Sequence, residues 1–217
     1  MAGHLGTETV LVDVSGGAVG AASGITAAVE ALDCDLLVCV DVGGDVLARG
    51  DEPELASPLC DAVMVAAMLR VSLERRPLLA VIGPGCDGEL TPAEVVARVA
   101  ELARAGSWLG SWGVTPEAAD ELEAATAVVP TEASLQVVRC ARGETGEHSI
   151  RRGRRRVQLG PVGALALFFD PVAAIGRLPL ARAVKDSASI EEGRAALDAL
   201  GVRTELDYER ERATQDA

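Results

Sequence analysis

Carboxylates set among glycines are the residues of this chain best suited to chemistry. Asp41-Val42-Gly43-Gly44-Asp45 places two acids four residues apart. The glycines between them leave the backbone free to turn both side chains toward one point. Oxygen ligands in such a pair suit a hard cation such as Mg²⁺. They equally suit sugar hydroxyls or an ammonium group, and the plain alternative is a glycine turn whose aspartates cap backbone amides. Gly83-Pro84-Gly85-Cys86-Asp87-Gly88-Glu89 adds two more acids and a thiol to a glycine-rich stretch. Asp41, Asp45, Asp87 and Glu89 are therefore the candidate catalytic acids, with Asp41 and Asp45 also the candidate metal ligands. Asp87 or Glu89 would serve as acid/base or as a second ligand. Gly43, Gly44, Gly85 and Gly88 would let a ligand approach the backbone. Cys86 has no neighbouring base in sequence, which argues against a nucleophilic thiol.

A second candidate is an anion cradle. Ser15-Gly16-Gly17-Ala18-Val19-Gly20 lies between an apolar run and a helical pattern. Backbone N–H groups at such a helix start can hold a phosphate or carboxylate, so Ser15, Gly16 and Gly17 are candidate ligand-binding positions. Gly17 and Gly20 match the last two glycines of a dinucleotide-binding fingerprint, but Ser15 stands where its first glycine belongs. The loop can equally be read as a tight strand-to-helix turn that needs small residues. His148 is the one histidine placed to act as a base or ligand contact, in a polar loop followed by Arg151, Arg152, Arg154, Arg155 and Arg156. Those arginines could bind a phosphate or carboxylate, or form a solvated hairpin paired with acids. Trp108 and Trp112 read as loop residues.

These residues need elements to position them. Thr9–Val14, Leu36–Val42 and Leu78–Ile82 are three apolar runs of strand length, each ending at an acidic, glycine-containing loop. Helical patterns follow over 18–32, 57–74, 91–105, 115–126 and 131–142. Ser57-Pro58, Thr91-Pro92 and Thr115-Pro116 pair a capping residue with proline at the first helical position. Thr91-Pro92-Ala93-Glu94 and Ser189-Ile190-Glu191-Glu192 are capping boxes. Two further strands are expected over 154–159 and 165–169. Alternating strands and helices predict right-handed βαβ units. The fold class is α/β: a three-layer, Rossmann-like, mostly parallel sheet with helices on both faces. One domain is expected over 1–205, followed by a charged, partly disordered tail over 206–217. In such sheets ligands bind outside the C-terminal ends of the strands, where the acidic loops would converge.

Composition narrows the function classes. Net charge is −13, with 33 acids against 20 bases. That argues against a general nucleic-acid binder, which carries a basic footprint. No apolar run reaches the length of a membrane helix, and the first residues lack a secretory pattern. A cytoplasmic protein with no membrane partner is expected. Aromatics are only 2% of the chain, so the core must be built from Ala, Val and Leu. The five cysteines include no C-x-x-C pair, which argues against a disulfide framework or zinc ribbon.

Across these motifs the chain resembles the DUF1152 family. The residues that carry the resemblance are Asp41–Asp45, Ser57-Pro58-Leu59-Cys60-Asp61, Gly85–Glu89 and Phe169-Asp170-Pro171, and it runs to Thr204–Asp207. The resemblance implies an α/β protein and supplies no activity. It also implies that relatives carry a further N-terminal strand and glycine-rich loop. This chain would then lack one βα unit and part of a phosphate site. A partner chain or a homo-oligomer could cover the strand edge so exposed. The expected function is an enzyme, a transferase or hydrolase with Mg²⁺, acting on a polar or phosphorylated small molecule. The alternatives are a non-catalytic ligand-binding or regulatory protein and a truncated partner subunit.

Overall fold

The computed structural model describes residues 1–215, and Asp216 and Ala217, the end of the expected disordered tail, lie outside the described residues. The helices are α1 (Ala2–Leu5), α2 (Gly17–Ala31), α3 (Pro58–Met68), α4 (Pro92–Arg104), α5 (Pro116–Val128), α6 (Glu132–Ala141), α7 (Pro171–Ala174), α8 (Pro179–Val184), α9 (Ile190–Asp198) and α10 (Glu205–Gln215). The strands are β1 (Val38–Val42), β2 (Leu78–Ile82), β3 (Trp108–Gly113), β4 (Gly146–Ile150), β5 (Arg155–Leu159) and β6 (Leu165–Phe169). From Glu205 to Gln215 the charged tail is therefore helical.

Most helix starts form as the sequence dictates. Thr91 accepts from the Glu94 amide while Glu94 accepts from the Thr91 amide at 2.7 Å, completing a capping box at α4. Thr115, Asp170 and Ser189 cap α5, α7 and α9 with the side-chain half of this bond alone; the box expected at Ser189 is not closed, because Glu192 accepts from the Ala188 amide instead of the Ser189 amide. The start of α3 departs from this pattern. The Ser57 side chain makes no capping bond. Instead Glu205, at the start of α10, accepts from the Leu59 and Cys60 amides at 3.1 and 2.8 Å. A carboxylate satisfies the free amides and favours the positive helix end, which leaves the Ser57 hydroxyl free for another partner.

The main sheet has four strands in the order β1-β2-β6-β3. β2 runs parallel to β1, and β6 runs antiparallel to both β2 and β3. Three strands therefore point one way and β6 the other. β4 and β5 form a separate antiparallel hairpin. Period-two alternation assigns the faces. Cys39, Leu79 and Val81 look into the larger core with α2, α3, α4, α8 and α9. Val42 and Ile82 look the opposite way, onto a smaller core built from α5, α6 and the β4–β5 hairpin. Helices thus cover both faces and the α/β class holds. No helix among the described residues is long and apolar enough to cross a membrane.

Three segments differ from expectation. Gly146–Ile150, read as part of a polar loop around His148, is strand β4, because β5 returns beside it as an antiparallel partner. Trp108–Gly113, read as loop, is strand β3, because β6 offers it a free edge to pair with. Trp108 packs on Phe169 with ring centroids 5.4 Å apart, while Trp112 stays exposed. Thr9–Val14, read as the first strand, joins no ladder. Leu11 is 99% exposed. Val10 and Val12 line an apolar groove of about 400 Å³ together with β1 residues Val38 to Asp41. Strand propensity alone cannot make a strand when no neighbour stands at hydrogen-bonding distance.

Candidate functional site

The acidic loops do meet. Asp41 is the penultimate residue of β1, and Asp45 follows it on a short 3₁₀ turn, Asp45–Leu47. Asp87 and Glu89 come from the loop after β2. Asp61 comes from the first turn of α3. Carboxylate oxygens of Asp41, Asp45 and Asp61 lie within 4.8 Å of one another, and so do those of Asp45, Asp87 and Glu89. Asp45 belongs to both triads. Because β1 and β2 are parallel and in register, their C-terminal loops leave the same sheet edge.

Glycine makes this approach possible. Gly43 has φ +123°, and a Cβ there would stand 2.1 Å from the Asp87 carboxyl carbon. The Gly43 carbonyl accepts from the Gly85 amide at 2.7 Å, tying the two loops together. Gly44, at φ +115°, donates its amide to Asp41 at 2.8 Å. At Gly88, φ +77°, a Cβ would press 3.1 Å from the Arg156 carbonyl. The candidate glycines thus serve to bring carboxylates and loops into contact.

Burial and mutual repulsion shift the acids strongly. Asp45 and Asp87 are buried. Burial, then the charges of Asp45 and Asp87, holds the Asp41 carboxyl well above its ordinary range. Burial, then Glu89, raises Asp87 to about 6, with Arg155 and nearby amides pulling against them. Burial, then Asp41, raises Asp61 to about 7. Asp45 is also raised, first by burial and then by the charge of Asp61. Each of these carboxyls thus binds its proton more tightly than an isolated aspartate, because burial and the neighbouring charges both disfavour the ionised form.

Glu89 is differently placed. It is 1% exposed and accepts from the Ala56 and Ser57 amides at 2.7 and 2.8 Å. The freed Ser57 hydroxyl also donates to it, and Arg155 Nη2 lies 3.2 Å away. A carboxylate so fully bonded anchors the Asp87 loop to the start of α3. Free acid/base work would require breaking those bonds.

The other expected residues lie apart from this cluster. The amides at the start of α2 already have partners: Gly17 donates to the Val14 carbonyl, Ala18 to Ser187 Oγ, Val19 to the Ser187 carbonyl. Ser15 turns back to Asp13, and Gly17, at φ +61°, sits where a Cβ would meet the Ser187 carbonyl at 2.6 Å. The Ser15, Gly16 and Gly17 turn is a docking point for the loop before α9. His148, on β4, faces α6 with Nδ1 3.5 Å from Arg139 Nη1. Cys86 is buried behind the loop, where a hydrogen bond with Cys140 and burial push its thiol up. Sequence reasoning missed Asp61, Ser57 and Arg155 as members of the site. The Ser57–Asp61 stretch carried the resemblance, and Pro58 sets Asp61 in a first helical turn. Arg155 showed no signal beyond its run of basic neighbours.

No curated protein and no solved structure matches this chain. The model of the DUF1152 family, described as proteins of unknown function, matches residues 1–213, so the chain belongs to that family.

Proposed function

We propose that the carboxylate cluster binds a divalent cation and that the chain is an enzyme of the transferase or hydrolase type. Its substrate is a polar or phosphorylated small molecule held at the C-terminal edge of the sheet. One observation carries this reading: Asp41, Asp45, Asp61 and Asp87 crowd together from four separate segments, β1, the 3₁₀ turn after it, α3 and the loop after β2. Arginines reach only the Glu89 end of the group. Buried carboxyls in such numbers must be protonated or neutralised by a cation. An all-oxygen donor set fits Mg²⁺, Mn²⁺ or Ca²⁺ better than a soft metal. Asp41, Asp45 and Asp61 would hold the ion. When bound it would polarise an oxygen of the transferred group. Asp87, with its pKa raised to about 6, would accept the proton of an attacking water or hydroxyl near neutral pH.

Calorimetric titration of Mn²⁺ into the purified chain tests this. Wild type should bind, and Asp45→Asn should lose at least about tenfold in affinity, or about 1.4 kcal/mol. Asp13→Asn should match wild type, because Asp13 only holds Ser15. A folded wild type that takes up none of Mn²⁺, Mg²⁺ and Ca²⁺ overturns the reading. The unladdered Val10–Val14 segment favours a second one, in which the chain is a non-catalytic subunit completed by a partner or a second copy. Sedimentation as an oligomer, with cation binding but no turnover on phosphate esters, would support it.

A further inference from the structure

Glu89 is shared by two neighbourhoods. On one side it joins Asp45 and Asp87. On the other stand Arg155 Nη2 at 3.2 Å and Arg151 at 3.9 Å. Beyond them opens a cavity of about 520 Å³, lined in part by Ser57, Arg151, Arg154, Arg155, Tyr208 and Arg212. Three acids also line it, and two are engaged elsewhere. Glu205 serves the amides at the start of α3, and Glu211 pairs with Arg203. Arg154 forms no ion pair among the described residues; its Nε donates to the Arg151 carbonyl.

Arg155 supplies the decisive detail. Its Nη1 is buried and lacks a hydrogen-bond partner, alone among the buried side-chain polar atoms of the described residues. A guanidinium donor left unsatisfied in the interior is costly, and an anionic acceptor at the cavity floor would relieve it. The surrounding protein carries a net charge of −13 and repels anions. An anion that settles here must therefore be held by these arginines. Guanidinium forks on several sides match the tetrahedral oxygens of a phosphoryl group better than the two oxygens of a carboxylate.

We infer that Arg151, Arg154 and Arg155 form a phosphate subsite, and that the substrate of the acidic centre is a phosphorylated small molecule. Its phosphate rests on the arginines, which the single carboxylate of Glu89 separates from Asp45 and Asp87. This assignment rests on the cation-dependent reading above for the reacting end, but the phosphate subsite can be tested by itself.

The probe is inorganic phosphate, titrated calorimetrically into the full chain with and without Mn²⁺. Arg151→Gln and Arg154→Gln change exposed side chains and should keep the wild-type melting temperature. Each should weaken phosphate binding about tenfold, the loss expected for one charge-assisted hydrogen bond. Mn²⁺ affinity should stay unchanged. Arg104→Gln, at the far end of α4, should leave both ligands unaffected. Phosphate that does not bind, or that binds Arg154→Gln like wild type, overturns the subsite. Acetate binding where phosphate fails overturns the phosphate assignment in favour of a carboxylate. Arginine-dependent phosphate binding in a chain that takes no Mn²⁺ supports the subsite and refutes the cation reading.

Discussion

Two regions of this molecule carry the same sequence signature and reach different ends. Thr9–Val14 followed by Ser15–Gly17, and Val38–Val42 followed by Gly43–Asp45, are each an apolar run closing on an acid and glycines. The second is a strand in register with β2, and its loop brings Asp41 and Asp45 against Asp87. The first has no ladder, its Asp13 only caps Ser15, and its glycine turn receives Ser187. A loop that gathers carboxylates therefore needs a neighbouring strand whose own loop meets it. An isolated loop of the same composition is a turn.

Amide hydrogen exchange would sharpen this contrast most. Val10, Leu11 and Val12 should exchange near the unstructured rate, while Ala80 and Val81 in β2 should be protected up to the global unfolding free energy, on the order of 5 kcal/mol or more. Equal protection of both segments would show that Thr9–Val14 is paired in solution and would dissolve the comparison.

The glycines should differ in the same sense. Gly43→Ala places a methyl group into the Asp87 carboxyl at a backbone angle alanine avoids. It should cost about 3 kcal/mol or more in denaturant unfolding and also weaken Mn²⁺ binding. A neutral Gly43→Ala would mean that the β1 and β2 loops do not touch as described.

The acids predict a pH dependence with a definite sign. Asp61 and Asp87 have folded pKa values of about 7 and about 6, raised from 3.8. A carboxyl raised on folding binds more protons in the native state, so its contribution is full below the unfolded value and is lost as pH rises. The groups facing one another are Asp41, Asp45, Asp61, Asp87 and Glu89, with Arg155 beside Glu89. In chelator, stability should therefore fall from pH 4 toward pH 7, and added Mn²⁺ should restore more of it at pH 7 than at pH 5. Thermal melts across that range check the trend. A cation effect independent of pH would separate the ion from these carboxyls.

The smallest effect is expected at Gly20, on the first turns of α2. No atom lies within 4 Å of a Cβ there. Gly20→Ala should stabilise by roughly 0.5–1 kcal/mol, through helix propensity alone. Destabilisation would mean that the start of α2 packs more tightly than described.

The sequence by itself determined the elements and their caps. Thr91, Thr115 and Ser189 cap helices where their spacing to the next acid or amide required it, because those bonds are local. Leu78–Ile82 and Leu165–Phe169 read as strands because a short apolar run between turns has few other ways to be buried. It also placed Asp41, Asp45 and Asp87 at strand ends, so the candidate site was legible as a location. The tertiary structure decided the rest, because the rest depends on contacts between distant residues. It paired Trp108–Gly113 with β6, left Thr9–Val14 without a partner, and sent Glu205 rather than Ser57 to cap α3. That last exchange freed Ser57 for Glu89, which with Arg155 ties the loop after β2 to the start of α3. No spacing rule reports such a bond, since the energy of a buried carboxylate is set by whatever donors the fold brings to it.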